Sequence, residues 1–182
     1  MEEPEVPTEH LHEHLHEHAH GAPAAKSRWI MGVALSSALL AGFAAVAALL
    51  AGHHSNEAMI EQIRAADQWN FFQAKGVKAN VLASKMELLA ALDKPASEKD
   101  SAKLAEYKKE QDEIKSKAEE LESASHHHLQ AHVIYARGVT LFQVAIAVGA
   151  VSALTRKRLF WFVSMGFGLL GLGFLLQGIL FQ

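Results

Sequence analysis

The chain has 182 residues, 17 Lys and Arg against 20 Asp and Glu, a formal charge of −3 at pH 7, and no cysteine. The near-balanced charge, with no Lys/Arg-rich stretch interleaved with aromatics, excludes an electrostatic nucleic-acid footprint. Zero cysteines exclude disulfides, thiol nucleophiles and thiolate metal sites.

The mean hydropathy is near zero, which would suit a soluble protein. The apolar residues are nevertheless segregated into three blocks, with the charge lying outside them, most of it in the segments between. A soluble domain would mix the two along every helix, because each helix needs one dry and one wet face.

Residues 1–28 form an acidic, histidine-rich tail, in which positions 9–20 read EHLHEHLHEHAH. On a helix His10, His14 and His18 share one face, and His12, His16 and His20 another. Imidazoles four apart can chelate Zn, Ni or Cu ions, so weak Zn or Ni binding is expected of this tail on chemical grounds. A solvated polar tail is the plainer expectation for such a composition. No cofactor is expected elsewhere.

The first apolar block, residues 29–51, has no charged residue. At helical rise it spans about 33 Å, enough for a hydrocarbon core of about 30 Å. The long acidic lead is unlike the short basic start of a signal peptide, so an uncleaved span is expected.

Residues 52–137 show helical periodicity and one clear breaker, Pro95. Residues 93–97 read as a turn, and Ser97 followed by Asp100 as a capping-box start for a second helix. Before the turn, Ile60, Ile63, Asp67, Asn70, Ala74, Val77, Val81, Ser84, Leu88 and Ala91 recur at alternating steps of 3 and 4. After it, Leu104, Tyr107, Gln111, Ile114, Ala118, Leu121, Ser125, His128, His132 and Tyr135 do the same. Two such seams joined by a tight turn predict an antiparallel, coiled-coil-like hairpin.

Folding this hairpin about residue 96 pairs Leu88 with Leu104, Val77 with Ile114 and Ala74 with Ala118, and faces His132 towards Ile60. It also gathers Asp67, Asn70, Ser125, His128 and His132 into a polar layer. A buried carboxylate beside imidazoles must pair, neutralise or hold a cation, while a polar layer at seam positions also sets register. Trp69, Phe72 and Met86 lie off this seam with Ala65 and Ala79 as a second apolar face. That face is expected to be an oligomer interface with further copies of the chain.

The second block, 138–154, and the third, 159–181, contain no Asp, Glu, Lys or Arg. In the third, Ser164, Gly168, Gly171 and Gly178 form one small-residue face suited to close helix packing. Lys26 and Arg28 before the first block, and Arg156, Lys157 and Arg158 between the second and third, fit a cytoplasmic placement. The hairpin then faces outward, into a periplasm in a Gram-negative source.

The runs NEAMIEQIRAADQWNFFQAKGVKA (Asn56 to Ala79), His126-His127-His128 and LFQVAIAVGAVSALTRKR (Leu141 to Arg158) resemble bacterial membrane proteins of domain-of-unknown-function family 4337. The resemblance covers about Lys26 to Gln182, and AADQW followed by QAK is its most specific part. Gly76 stands where the resemblance leads one to expect serine, which loosens the helix slightly. The resemblance implies a bacterial inner-membrane protein and carries no activity.

The expected fold is all-α, with three transmembrane helices and an extramembrane antiparallel helical hairpin. No Gly-rich phosphate loop, nucleophile elbow or HExxH helix is present, and no ionisable group marks a path through the apolar blocks. No catalytic residues are therefore expected. The leading expectation is an oligomeric structural or interaction protein that displays a helical stalk outside the inner membrane. Its partners would be membrane lipids, other copies, and another membrane or periplasmic protein. The alternative is an accessory or sensor of metal or ion homeostasis, using the tail and the polar layer.

Overall fold

The computed structural model describes residues 24–181. Among them are three helices and no strand: α1 (Ala24–Ala91, 68 residues), α2 (Glu98–Thr155, 58 residues) and α3 (Arg158–Phe181, 24 residues). Each is long and apolar enough to cross a membrane. The histidine-rich tail, His10 to His20, lies outside the described residues.

Local chemistry sets the helix ends. The N–H of Lys94 donates to the Leu89 carbonyl at 2.9 Å and that of Asp93 to the Ala90 carbonyl at 3.1 Å, while Asp93 takes a left-handed φ of 54°. This pair of bonds closes α1 in a Schellman motif, with Asp in the place usually held by Gly. Pro95, with no N–H to give, follows directly. Ser97 caps α2, its Oγ accepting from the Lys99 N–H at 3.3 Å. The reciprocal half of the capping box is not formed, because the Asp100 carboxylate is taken by Lys85 of α1 at 2.7 Å. Arg156, at φ 55°, turns the chain between α2 and α3, and Ser152 Oγ donates across that turn to the Lys157 carbonyl at 3.0 Å.

The helices fall into two compact units. The first comprises residues 24–48 and 137–179. Its buried positions are mostly small: Ala47, Gly138, Ala145, Gly149 and Ser152, with Ser164, Gly168, Gly171 and Gly178 of α3. Its large apolar side chains point outward, among them Met31, Leu35, Leu154, Leu159 and Leu170. In water this would be inside out. It is the arrangement helices adopt where the surroundings are as apolar as leucine and only close backbone approach is gained by association.

Phe142, fully buried, is the main large exception. It stacks on Phe43 with centroids 6.0 Å apart and lies against Gly171, where an added Cβ would stand 2.9 Å from its ring. Ser164 Oγ donates to the Ala145 carbonyl at 2.6 Å.

The second unit comprises residues 49–136 and 180–181 of the described chain. Here α1 and α2 run antiparallel, tied by Lys75 to Glu110, by Trp69 Nε1 to Glu122 at 2.8 Å, and by Lys85 to Asp100. All ten α2 positions from Leu104 to Tyr135 are buried or half-buried.

On α1 the face differs from the expected one. Every one of the ten positions from Ile60 to Ala91 is exposed, and α2 packs instead on Ala51, His54, Ala58, Ala65, Trp69, Phe72, Ala79 and Met86. The expected pairs Leu88–Leu104, Val77–Ile114 and Ala74–Ala118 are therefore not formed, and His132 faces Ala51 rather than Ile60. The physical reason is that Ala51, Ala58, Ala65 and Ala79 let the two backbones approach closely at their levels, with Trp69, Phe72 and Met86 filling the seam between them. The bulkier Ile and Val stripe, interrupted by Asp67 and Asn70, would place a carboxylate in the dry seam.

A histidine layer as candidate functional site

Ala51, His54, Ala58 and Ala65 recur along α1 at steps of 3, 4 and 7, so His54 occupies a seam position among alanines. On α2, Ser125, His128, His132 and Tyr135 lie on one face by the same spacing. The antiparallel register brings the two sets together.

His54 is 5% exposed. Its Nδ1 lies 3.0 Å from Nδ1 of His128, and its ring stacks on Tyr135 with centroids 5.6 Å apart and planes 11° from parallel. His53 meets His54 edge-on at 5.3 Å, and His127 stacks on Phe181 at 4.8 Å. Two hydroxyl or imidazole groups close the layer onto backbone: Ser125 Oγ donates to the Ala58 carbonyl at 2.8 Å, and His132 Nδ1 lies 2.9 Å from the Ala51 carbonyl. A carbonyl can only accept, so His132 carries its proton on Nδ1.

The same logic fixes the proton count between His54 and His128. A hydrogen bond between two Nδ1 atoms needs one protonated and one bare nitrogen, so the contact holds one proton. Burial of His54 holds its pKa below the usual histidine value. The neighbouring His128, His53 and His127 push it the same way, against a smaller opposing pull from Glu57. His54 thus resists taking up a proton.

The sequence-derived polar layer is therefore only partly gathered. Ser125, His128 and His132 lie at the helix–helix seam, while Asp67 and Asn70 are exposed on the opposite side of α1 and take no part. Trp69, Phe72 and Met86, expected as an oligomer interface, are half-buried within the hairpin itself. Ser164, Gly168, Gly171 and Gly178 are all buried in the first unit. His54 is the residue sequence reasoning missed. The signal was its place in the alanine strip, which is weaker to the eye than the Ile/Val stripe beside it.

Among the described residues no group of three or more His, Cys, Asp or Glu side chains is gathered that could hold a metal ion. What the layer can do chemically is share a proton between His54 and His128, and offer two imidazoles from two different helices.

The family described as domain of unknown function DUF4337 matches residues 29–181. No curated protein and no solved structure matches the chain.

Proposed function

This chain belongs to the DUF4337 family, and from that premise we propose that it is a membrane-anchored, oligomeric interaction protein whose hairpin is displayed outside a bacterial inner membrane. The observation that carries this reading is the exposed apolar stripe on α1. Ile60, Ile63, Val77, Val81 and Leu88 are between 40% and 66% exposed on a segment otherwise rich in charge. An exposed apolar stripe of this kind, interrupted by Asp67 and Asn70, in a region too charged for lipid, marks a protein contact.

The three apolar helices supply the anchor. The cationic flanks at Lys26, Arg28 and Arg156–Arg158 favour a cytoplasmic N-terminus, with residues 52–137 on the opposite side. The experiment is native mass spectrometry of the full chain released from nanodiscs. Multimers are expected; a monomer at every protein concentration sinks the reading.

A second reading, a proton- or metal-responsive accessory of ion homeostasis, is favoured by the His54–His128 contact. Isothermal titration with Zn or Ni tests the metal arm. Micromolar or tighter binding that is lost in His128→Gln supports it, and no binding in the full chain removes it.

A further inference from the structure

We infer that the exposed stripe of α1 pairs with the same stripe of a second copy, the two α1 helices lying parallel and in register. This rests on the assembly reading above and specifies its surface.

The first argument is periodicity. An amphipathic helix in a two-helix hairpin needs one buried stripe, and α1 has it at Ala58, Ala65, Phe72, Ala79 and Met86. The ten exposed positions from Ile60 to Ala91 form a second stripe on the far side, with unbroken steps of 3 and 4. A spacing of 3.5 residues is what keeps a side-chain row facing a partner helix over many turns. A lipid surface has no use for that period, so the occupant is a helix.

The second argument concerns which helix. In register, Asn70 meets Asn70 and the two carboxamides can hydrogen-bond across the seam, Asp67 meets Asp67 at an electrostatic cost, and Ala74, Ser84 and Ala91 meet their own small counterparts. A shift by one heptad sets Asn70 against Val77 and leaves both amides unpaired, a penalty that selects the aligned register.

The third is charge. Arg64, Lys78 and Lys85 border the stripe on one edge, and Gln73, Asn80 and Glu87 on the other. An antiparallel pair apposes like edges and sets one cationic edge against the other. A parallel pair sets the cationic edge of one copy beside the polar edge of the other. Copies anchored in one membrane by the same helices also carry α1 in the same sense. A groove of 360 Å³ opens beside Val77 and Val81, where Lys103 and Tyr107 of α2 form its other wall.

The test uses the absence of native cysteine. Ile63→Cys, Val77→Cys and Ser84→Cys, each alone in the full chain, are oxidised in native membranes, with Lys109→Cys on the exposed side of α2 as control. Disulfide-linked dimers are expected at all three stripe positions and not at 109. Linkage at only one of the three overturns the parallel register.

Linkage at none, with multimers still present by native mass spectrometry, overturns this surface and leaves the assembly reading standing. Monomers by both methods remove both. Two further variants on exposed positions report strength. Val77→Glu with Val81→Glu abolishes the linkage at 63, whereas Asp67→Leu, which takes two facing carboxylates out of the seam, increases it several-fold. Unchanged linkage in both overturns the proposal.

Discussion

His54 and His128, 74 residues apart in sequence, face each other with their Nδ1 atoms 3.0 Å apart, and one proton lies between them. Neither residue could be paired with the other by spacing alone, because the contact depends on which side of α1 meets α2.

Burial of His54, reinforced by that contact, makes stability depend on pH. The fold holds the His54 pKa below its ordinary 6.5, so near and below that value the unfolded chain binds more protons than the folded one. The stabilising contribution is present above pH 6.5 and is lost as pH falls through the depressed folded value. The Tm of the detergent-solubilised chain, followed by circular dichroism, is expected to fall between pH 7.5 and pH 5. In His54→Gln that slope flattens; an equal slope in the variant contradicts the assignment.

A second, more acidic limb belongs to Glu110. The hydrogen bond from Lys75, together with its charge, holds the Glu110 carboxyl below the usual 4.5. Its contribution is present above that value and disappears as pH falls through the lower folded one. Lys75→Met is expected to remove this limb while leaving the histidine limb in place, measured by the same melts extended to pH 3.

The α3 glycines differ in what a methyl group would meet. At Gly171 an added Cβ stands 2.9 Å from two ring atoms of the fully buried Phe142, and a ring cannot yield as a flexible chain end does. At Gly166 nothing lies within 4 Å. Gly171→Ala is expected to cost about 1–3 kcal/mol, and Gly166→Ala to be neutral or slightly stabilising through helix propensity. Equal Tm values for the two would contradict this packing.

Asp93 occupies the left-handed position that ends α1, at φ 54°. Glycine meets no Cβ penalty there, so Asp93→Gly is expected to stabilise the chain by about 0.5–1 kcal/mol. Asp93→Val should destabilise by about 1–2 kcal/mol, since a β-branched residue pays the full steric cost. Denaturant titration of both variants orders them; Val at or above wild type would contradict the turn geometry.

The three apolar helices, the turn at residues 93–97 and the α2 face from Leu104 to Tyr135 were legible in the sequence. Each rests on a one-dimensional signal: an uncharged run long enough for a bilayer, a proline beside a capping serine, a single apolar stripe. The α1 side of the hairpin was not legible in the same way.

Between Ala58 and Ala91 the sequence carries two stripes at helical spacing, one of Ile, Val and Leu and one of Ala with Trp69, Phe72 and Met86. Periodicity ranks them by bulk and so favours the wrong one for packing on α2. Only the tertiary structure chose the face with the alanines, because Ala58, Ala65 and Ala79 admit α2 closely while Trp69, Phe72 and Met86 fill the space between them. That choice brought His54 to His128, sent Asp67 and Asn70 outward, and left the Ile/Val stripe uncovered.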